Sequence, residues 1–202
     1  MRKYILLSLT VIVTIFLVYG IVYKFGFQGF LFAWMLNFVL MMCVFFFTET
    51  IKSEFKSAYY LEKSWEKKGK IYEAFGINWF RKLLVIIGWE KLNKKANPVE
   101  KNLQALVHLE YRTKQSELGH IIIFFIVLAF TIYVGINFRI KETISLIILN
   151  ILLNVYPVLL QRYNRPRLQR AIILSKYREE KKKFLTKKKT PPTVNIISNL
   201  DA

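Results

Sequence analysis

Four long apolar runs constrain the fold of this 202-residue chain more than any other feature of its sequence. They cover residues 4–23, 27–48, 120–138 and 143–160. Each run approaches the ~20 residues that a helix needs to cross a hydrocarbon core of ~30 Å. Hydrophobic residues make up 54% of the chain and aromatic residues 16%, which exceeds the usage of ordinary soluble domains. The sequence therefore predicts an all-α membrane protein with about four transmembrane helices.

The positions of the basic residues predict how these helices are oriented. Of the 31 lysines and arginines, all but Lys24, Arg139 and Lys141 precede the first run, lie between the second and third, or follow the fourth. Because such residues accumulate on the cytoplasmic side, we expect a multi-pass protein of the cytoplasmic membrane with both termini in the cytoplasm. The net charge of +18 is mainly a topology signal, and it favours contact with anionic membrane lipids over nucleic acid.

The apolar runs divide the chain into five predicted segments. These are two N-terminal transmembrane helices (1–48), a cytoplasmic loop with amphipathic or interfacial helices (49–118), two further transmembrane helices (119–160), a basic cytoplasmic helix (161–185) and a disordered tail (186–202). Within the loop, residues 51–68 are predicted to continue the second span as a helix. Residues 71–92 are apolar but too short to cross the membrane, so we expect an interfacial or re-entrant element there.

The sequence contains few residues that could hold a metal or a nucleotide cofactor. Cys43 is the single cysteine, His108 and His120 are the two histidines, and the chain has no glycine-rich nucleotide loop. We therefore expect no metal site and no cofactor, and we expect Cys43 to be a packing residue.

A stripe of polar residues lies at the start of the third apolar run. Thr113, Ser116, Glu117 and His120 are spaced at i, i+3, i+4 and i+7, which places them on one helical face. A histidine can accept the proton of an attacking hydroxyl, and a carboxylate one turn away can orient its ring. We therefore interpret His120 as a general base and Glu117 as the residue that orients it. The alternative interpretation is a solvated helix turn at the lipid boundary.

A second polar motif, QRYNRPR at 161–167, follows the fourth apolar run. By the predicted topology it lies at the same cytoplasmic depth as His120. Its three guanidinium groups and the amide of Asn164 are suited to binding phosphate or to stabilising a developing oxyanion. Arginines without a function are also common at the cytoplasmic ends of spans, which is the alternative here. Asn150 and Asn154, inside the fourth run, are expected to form hydrogen bonds between helices.

The two motifs resemble those of the glycosyl-4,4'-diaponeurosporenoate acyltransferase family, which makes the last step of the carotenoid pigment staphyloxanthin. The similarity is carried by TKQSELGH at 113–120 and NVYPVLLQRYNRPRL at 154–168, and more loosely by WEKKGKIYEAFGINWFRKLL at 65–84. It implies an acyltransferase that esterifies a sugar hydroxyl of a glycosylated lipid at the cytoplasmic membrane. It also implies two partners, a lipid-phase acceptor and an acyl thioester donor such as acyl-CoA.

The positions that match the family motifs are Thr113, Lys114, Glu117 and His120 upstream, and Gln161, Arg162, Tyr163, Asn164, Arg165, Pro166 and Arg167 downstream. Their roles are physical hypotheses. We assign His120 and Glu117 as catalytic residues, and Thr113, Lys114, Gln161, Arg162, Tyr163, Asn164, Arg165 and Arg167 as substrate-binding residues. The first two spans and the lysine-rich tail depart from the family pattern. Two alternatives to an enzyme are open from the residues alone, namely a non-catalytic membrane scaffold or assembly factor and a lipid-binding or transport component.

Overall fold

A computed structural model describes residues 1–27, 29–89, 91–92, 102–138 and 140–189, without the side chains of 186–189. All regular structure in these residues is helical. The helices are α1 (Arg2–Phe25), α2 (Gly29–Ile51), α3 (Ile71–Ala74), α4 (Ile77–Ile86), α5 (Leu103–Asn137), α6 (Ile140–Asn150) and α7 (Tyr156–Lys189). A π-helix, Ile151–Val155, joins α6 to α7 without a break. Four helical rods are long and apolar enough to cross a membrane, namely α1, α2, α5 and the rod formed by α6, the π-helix and α7.

The four rods form a bundle in which α2 is central and packs against α1, α5 and α6. Its residues Phe32, Leu36 and Leu40 are fully or almost fully buried. The two short turns of the bundle meet at one end, where the ring of Phe27 lies 6.1 Å from that of Phe138. At the opposite end, Lys3 Nζ donates a hydrogen bond to the carbonyl oxygen of Ile51. We call this second end the charged end, because most basic residues lie there.

Two rods continue past the length of a membrane at the charged end. α5 contains 35 residues, or ~52 Å at 1.5 Å per residue, against a hydrocarbon core of ~30 Å. About 20 residues counted from the turn near Phe138 reach Glu117 along α5 and Arg162 along α7. Both polar motifs therefore lie at the same level, near the edge of the hydrocarbon core.

The segment between α2 and α5 differs from the sequence prediction. Lys52 and Phe55 adopt left-handed backbone angles, with φ of 48° and 49°, so the helix of α2 ends at Ile51 instead of continuing over residues 51–68. Short 3₁₀ turns follow at Ala58–Tyr60 and Ser64–Gly69. Gly69 packs directly on α7, where an added Cβ would lie 2.8 Å from the carbonyl oxygen of Tyr163.

The amphipathic part of this segment forms α3 and α4 within the predicted interfacial element 71–92. Ile77 and Phe80 are buried against α7, and the ring of Phe80 stacks on that of Tyr156 at 5.0 Å. On the other side, Trp79 and Ile86 are exposed. The pattern is that of a helix with one face on the protein and a second apolar face free to contact lipid.

The fourth span and the basic helix that follows it form one continuous rod. Helical backbone passes from residue 160 to 161 without interruption and continues to Lys189, four residues beyond the predicted end at 185. The remainder of the predicted disordered tail, 190–202, lies outside the described residues.

Candidate functional site

Four charged side chains are buried together at the charged end, and we call them the ion cluster: Glu66, Glu117, Arg162 and Arg165. Each is at most 8% exposed, and Glu117 is fully buried. Arg165 Nη2 donates to Glu117 Oε2, and Arg162 Nε lies 3.1 Å from Glu66 Oε1 and 3.7 Å from Glu117 Oε1. Two carboxylates thus balance two guanidinium groups, as burial of charge requires.

Tyrosines from the middle segment complete the ion cluster. The hydroxyl of Tyr59 donates to Glu117 Oε1 at 2.7 Å, and that of Tyr72 donates to Glu66 Oε1 at 2.5 Å. Burial, and then the hydrogen bonds to these carboxylates, raise the pKa of both tyrosines. Arg162 Nη1 also donates to the carbonyl oxygen of Tyr59, and its guanidinium lies 4.8 Å from the centre of that ring.

The predicted pairing of Glu117 with His120 is wrong in its geometry. The carboxylate of Glu117 is held by Arg165 and Tyr59, whereas His120 Nδ1 lies 3.4 Å from Asn154 Oδ1. Helical spacing places two residues on one face but does not choose their partners. A guanidinium brought in by α7 gives a charge-assisted hydrogen bond, which is stronger than one to a neutral ring.

An asparagine network inside the bundle holds the ring of His120. Asn154 Nδ2 donates to Asn37 Oδ1 at 2.8 Å and to Asn150 Oδ1 at 2.9 Å, while Asn150 Nδ2 donates to the carbonyl oxygen of Phe124. The expectation that Asn150 and Asn154 bond between helices is confirmed. These bonds fix the amide of Asn154 so that its oxygen faces His120.

The π-helix brings Asn154 to this position. Pro157 follows it and has no backbone N–H, so the regular ladder of hydrogen bonds is interrupted over the preceding turn. Such π segments occur often at functional sites, because the extra residue changes the direction of a side chain.

A polar cavity of about 240 Å³ opens between α2, α5 and α7. Its polar lining consists of Thr48, Arg112, Thr113, Gln115, Ser116, His120 and Gln161. Gln161 Nε2 donates weakly to Ser116 Oγ at 3.5 Å, which joins the two sequence motifs across the cavity. The buried Gln115 Nε2 has no hydrogen-bond partner among the described residues. The cavity therefore combines a histidine with three hydroxyl-bearing residues and the amide of Gln161.

The predicted site residues fall into separate groups. Thr113, His120 and Gln161 line the polar cavity, whereas Glu117, Arg162 and Arg165 belong to the ion cluster beside it. The remaining predicted residues are Lys114, Tyr163, Asn164 and Arg167. Lys114 pairs with Glu110 along α5 at 3.1 Å, and Asn164 is half-buried on α7.

Tyr163 and Arg167 face α3 instead of the cavity. The hydroxyl of Tyr163 donates to Glu73 Oε1 at 3.2 Å. The guanidinium of Arg167 stacks on the Tyr163 ring at 3.8 Å and is about half exposed. Of all the predicted arginines, Arg167 is the one most accessible to an anion.

The sequence analysis did not identify Glu66, Tyr72 or Tyr59 as site residues. Glu66 stands in the lysine-rich stretch WEKKGK, where a solvated carboxylate is the ordinary expectation. No periodicity links this loop to α7, so the pairing depends on the tertiary fold.

Four membrane-length helical rods with a polar cavity and a buried ion cluster at one end define a helical membrane protein with a polar site at the edge of its apolar core. The family model for glycosyl-4,4'-diaponeurosporenoate acyltransferase matches residues 56–173, which is more than half of the chain. The chain belongs to this family and is an acyltransferase connected with carotenoid biosynthesis. No curated protein and no solved structure matched the chain.

The matched range contains the whole ion cluster and both polar motifs. It begins after α2 has ended and stops within α7. The polar cavity is therefore built partly from α2, which lies outside the match, through residues such as Met41, Val44 and Thr48.

Proposed function

We propose that the protein esterifies a hydroxyl of a glycosylated carotenoid, or of a related glycolipid, with a fatty acyl group at the cytoplasmic face of the cell membrane. Family membership supports the class of reaction. The observation that carries the proposal is the position of His120 in a polar cavity at the charged end of the bundle. There a sugar held by its lipid tail in the membrane meets a donor that arrives from water.

In the proposed reaction His120 is the general base. The proposal assigns the proton of the neutral ring to Nδ1, which lies 3.4 Å from the acceptor Asn154 Oδ1, and so leaves the lone pair on Nε2. Nε2 takes the proton of the sugar hydroxyl while the hydroxyl oxygen attacks the carbonyl carbon of an acyl thioester. The new C–O bond forms, the C–S bond breaks, and the leaving thiolate takes the proton back from the imidazolium. General-base catalysis of this kind contributes about 10²- to 10⁴-fold.

In this proposal the other predicted site residues bind the two substrates. Thr113 and Gln161 bind the sugar of the acceptor. Arg167 lies outside the cavity, beside Tyr163 and within 3.8 Å of Glu73, and in this proposal its exposed part attracts the anionic part of the donor to the charged end.

Glu117, Arg162 and Arg165 are positioning residues in this proposal, because their charges are already paired with one another and with Glu66. They fasten α7 and the middle segment to α5. That contact sets the distance between Gln161 and His120 across the cavity.

Lipid mass spectrometry of cells with and without the protein tests the proposed function. We expect an acylated glycolipid or pigment in cells that contain the protein, and its unacylated precursor in cells that lack it. Identical lipids in both would overturn the proposal. A change in the distribution of a lipid between the two leaflets, without any new ester, would favour the transport alternative.

A further inference from the structure

A second cavity, which we call the apolar cleft, lies between α1, α2 and α5 and has a volume of about 530 Å³. Its lining is almost entirely apolar and includes Leu40, Cys43 and Phe47 from α2 and Ile122 and Ile126 from α5. The hydroxyls of Thr10 and Thr14 on α1 are bonded to their own helix, to the carbonyl oxygens of Leu6 and Thr10. The two threonines therefore line the cleft without offering it a free hydroxyl.

The apolar cleft adjoins the polar cavity. Val44 lines both of them, and its Cγ1 lies 3.7 Å from where a Cβ on Gly119 would be, next to His120. A molecule with a polar head and an apolar chain could thus have its head beside His120 and its chain in the cleft.

The cleft has a limited depth. Along α5 its lining runs from Ile122 to Phe130, which is ~12 Å at 1.5 Å per residue. One leaflet is half of a hydrocarbon core of ~30 Å, so the cleft spans about one leaflet. Phe130 closes the deep end, where its ring packs against Phe27 and Phe32 at 6.4 and 6.1 Å.

We propose that the apolar cleft binds the acyl chain of the donor, with Phe130 as its floor, and that its depth sets the chain length that is transferred. The inference rests on the proposed function. A flexible saturated chain occupies one leaflet and fits a cleft of that depth, whereas a long rigid polyene would collide with Phe130. The α1 and α2 walls of the cleft lie outside the family match, whereas Ile122, Ile126 and the floor at Phe130 lie within it.

Two variants move the expected length in opposite directions. Thr14→Trp fills the cleft from α1, and Phe130→Ala deepens it. The full-length protein in membranes is given an equimolar mixture of saturated acyl-CoA thioesters from octanoyl to eicosanoyl, and the ester products are separated by mass. Each buried methylene contributes a factor of about four, so we expect the ratio of long to short products to fall about tenfold or more in Thr14→Trp and to rise in Phe130→Ala.

Val13→Trp is the matched control, because Val13 precedes Thr14 on α1 but is exposed and does not line the cleft. Its products should have the chain lengths of the parent. If both cleft variants transfer acyl chains with the parent's length distribution, the inference is overturned while the proposed function stands. If the parent itself forms no ester, the proposed function fails, and the inference fails with it. If only one of the two cleft variants folds, a shift of its product chain lengths in the expected direction supports the inference. No shift, or the opposite shift, overturns it.

Discussion

The carboxylate of Glu117 connects three distant parts of the sequence, because it accepts from Arg165 on α7 and from Tyr59 in the middle segment while belonging to α5. A buried charge that loses its partner is far more costly than a surface charge in the same situation. The ion cluster therefore joins the two family motifs and the middle segment in one packed site.

Replacing Glu117 by Gln should destabilise the protein by about 3 to 5 kcal/mol, because it leaves the guanidinium of Arg165 buried without a counter-charge. Unfolding in detergent measures the loss. The double variant Glu117→Gln, Arg165→Met removes both charges and should recover part of it.

Glu110→Gln is the control for this experiment. Glu110 lies on the same helix and pairs with Lys114, but both side chains are partly solvated, so the loss should be at most about 1 kcal/mol. Equal losses for Glu110→Gln and Glu117→Gln would contradict the importance given to the ion cluster.

The tyrosines of the cluster predict a dependence on alkaline pH. Burial, and the hydrogen bond to Glu66, raise the pKa of Tyr72 above its ordinary value of about 10. Between the ordinary pKa of the unfolded state and the raised pKa of the folded state, the unfolded state binds fewer protons than the folded one. The contribution of Tyr72 to the free energy of unfolding is therefore fully present below pH ~10 and is lost as the pH rises above it. Unfolding measured from neutral to alkaline pH should show a smaller alkaline loss in Tyr72→Phe than in the parent. An identical alkaline loss of stability in Tyr72→Phe and in the parent would show that Tyr72 does not cause it.

Individual contacts in the site could be predicted only in part. The spacing of Thr113, Ser116 and His120 correctly placed them on one face, and all three line the polar cavity. The partner of Glu117 could not be predicted, because spacing along one helix says nothing about side chains that another helix brings in.

At the scale of elements, the contact between the middle segment and α7 depends on a glycine. Gly69 has a φ of +84°, and an added Cβ would lie 2.8 Å from the carbonyl oxygen of Tyr163. Gly88 has a similar φ of +77° but nothing within 4 Å of an added Cβ. Substitutions at these two glycines therefore distinguish the cost of backbone strain from the cost of losing close packing.

Gly88→Ala should cost about 1 to 2 kcal/mol through backbone strain alone. Gly69→Ala should cost about 1 to 3 kcal/mol more, because the segment must also move away from α7. Unfolding measurements compare the two, and limited proteolysis should cut near residue 69 first in Gly69→Ala. Equal behaviour of the two variants would show that the close contact is unimportant.

The transmembrane elements could be predicted because a membrane-spanning helix needs only length and apolar composition. The structure of the segments that follow these elements outside the membrane could not be predicted. The lysines and aromatics of 51–68 suit a helix, yet Lys52 and Phe55 take left-handed angles so that the chain can turn back toward Arg162. A tertiary contact thus overrides the local preference.

At the scale of the whole molecule, the distribution of basic residues predicts an orientation that labelling can test. Single cysteines placed at Lys24 and Lys141 should react with a membrane-impermeant maleimide in intact cells, because both positions lie beside the short turns. Cysteines at Lys56 and Lys176 should react only after the cells are opened. The native Cys43 is buried and gives a low background. The reverse pattern would place the polar cavity on the outer face.

The central claim is that His120 is the base of an acyl transfer at the charged end, and the most direct test is the rate of ester formation by purified His120→Ala. We expect a loss of about 10²- to 10⁴-fold with the fold intact, as judged by its unfolding transition. His108→Ala, which changes the other histidine at an exposed position, should keep the parent rate. Transfer by folded His120→Ala at the parent rate would contradict the claim.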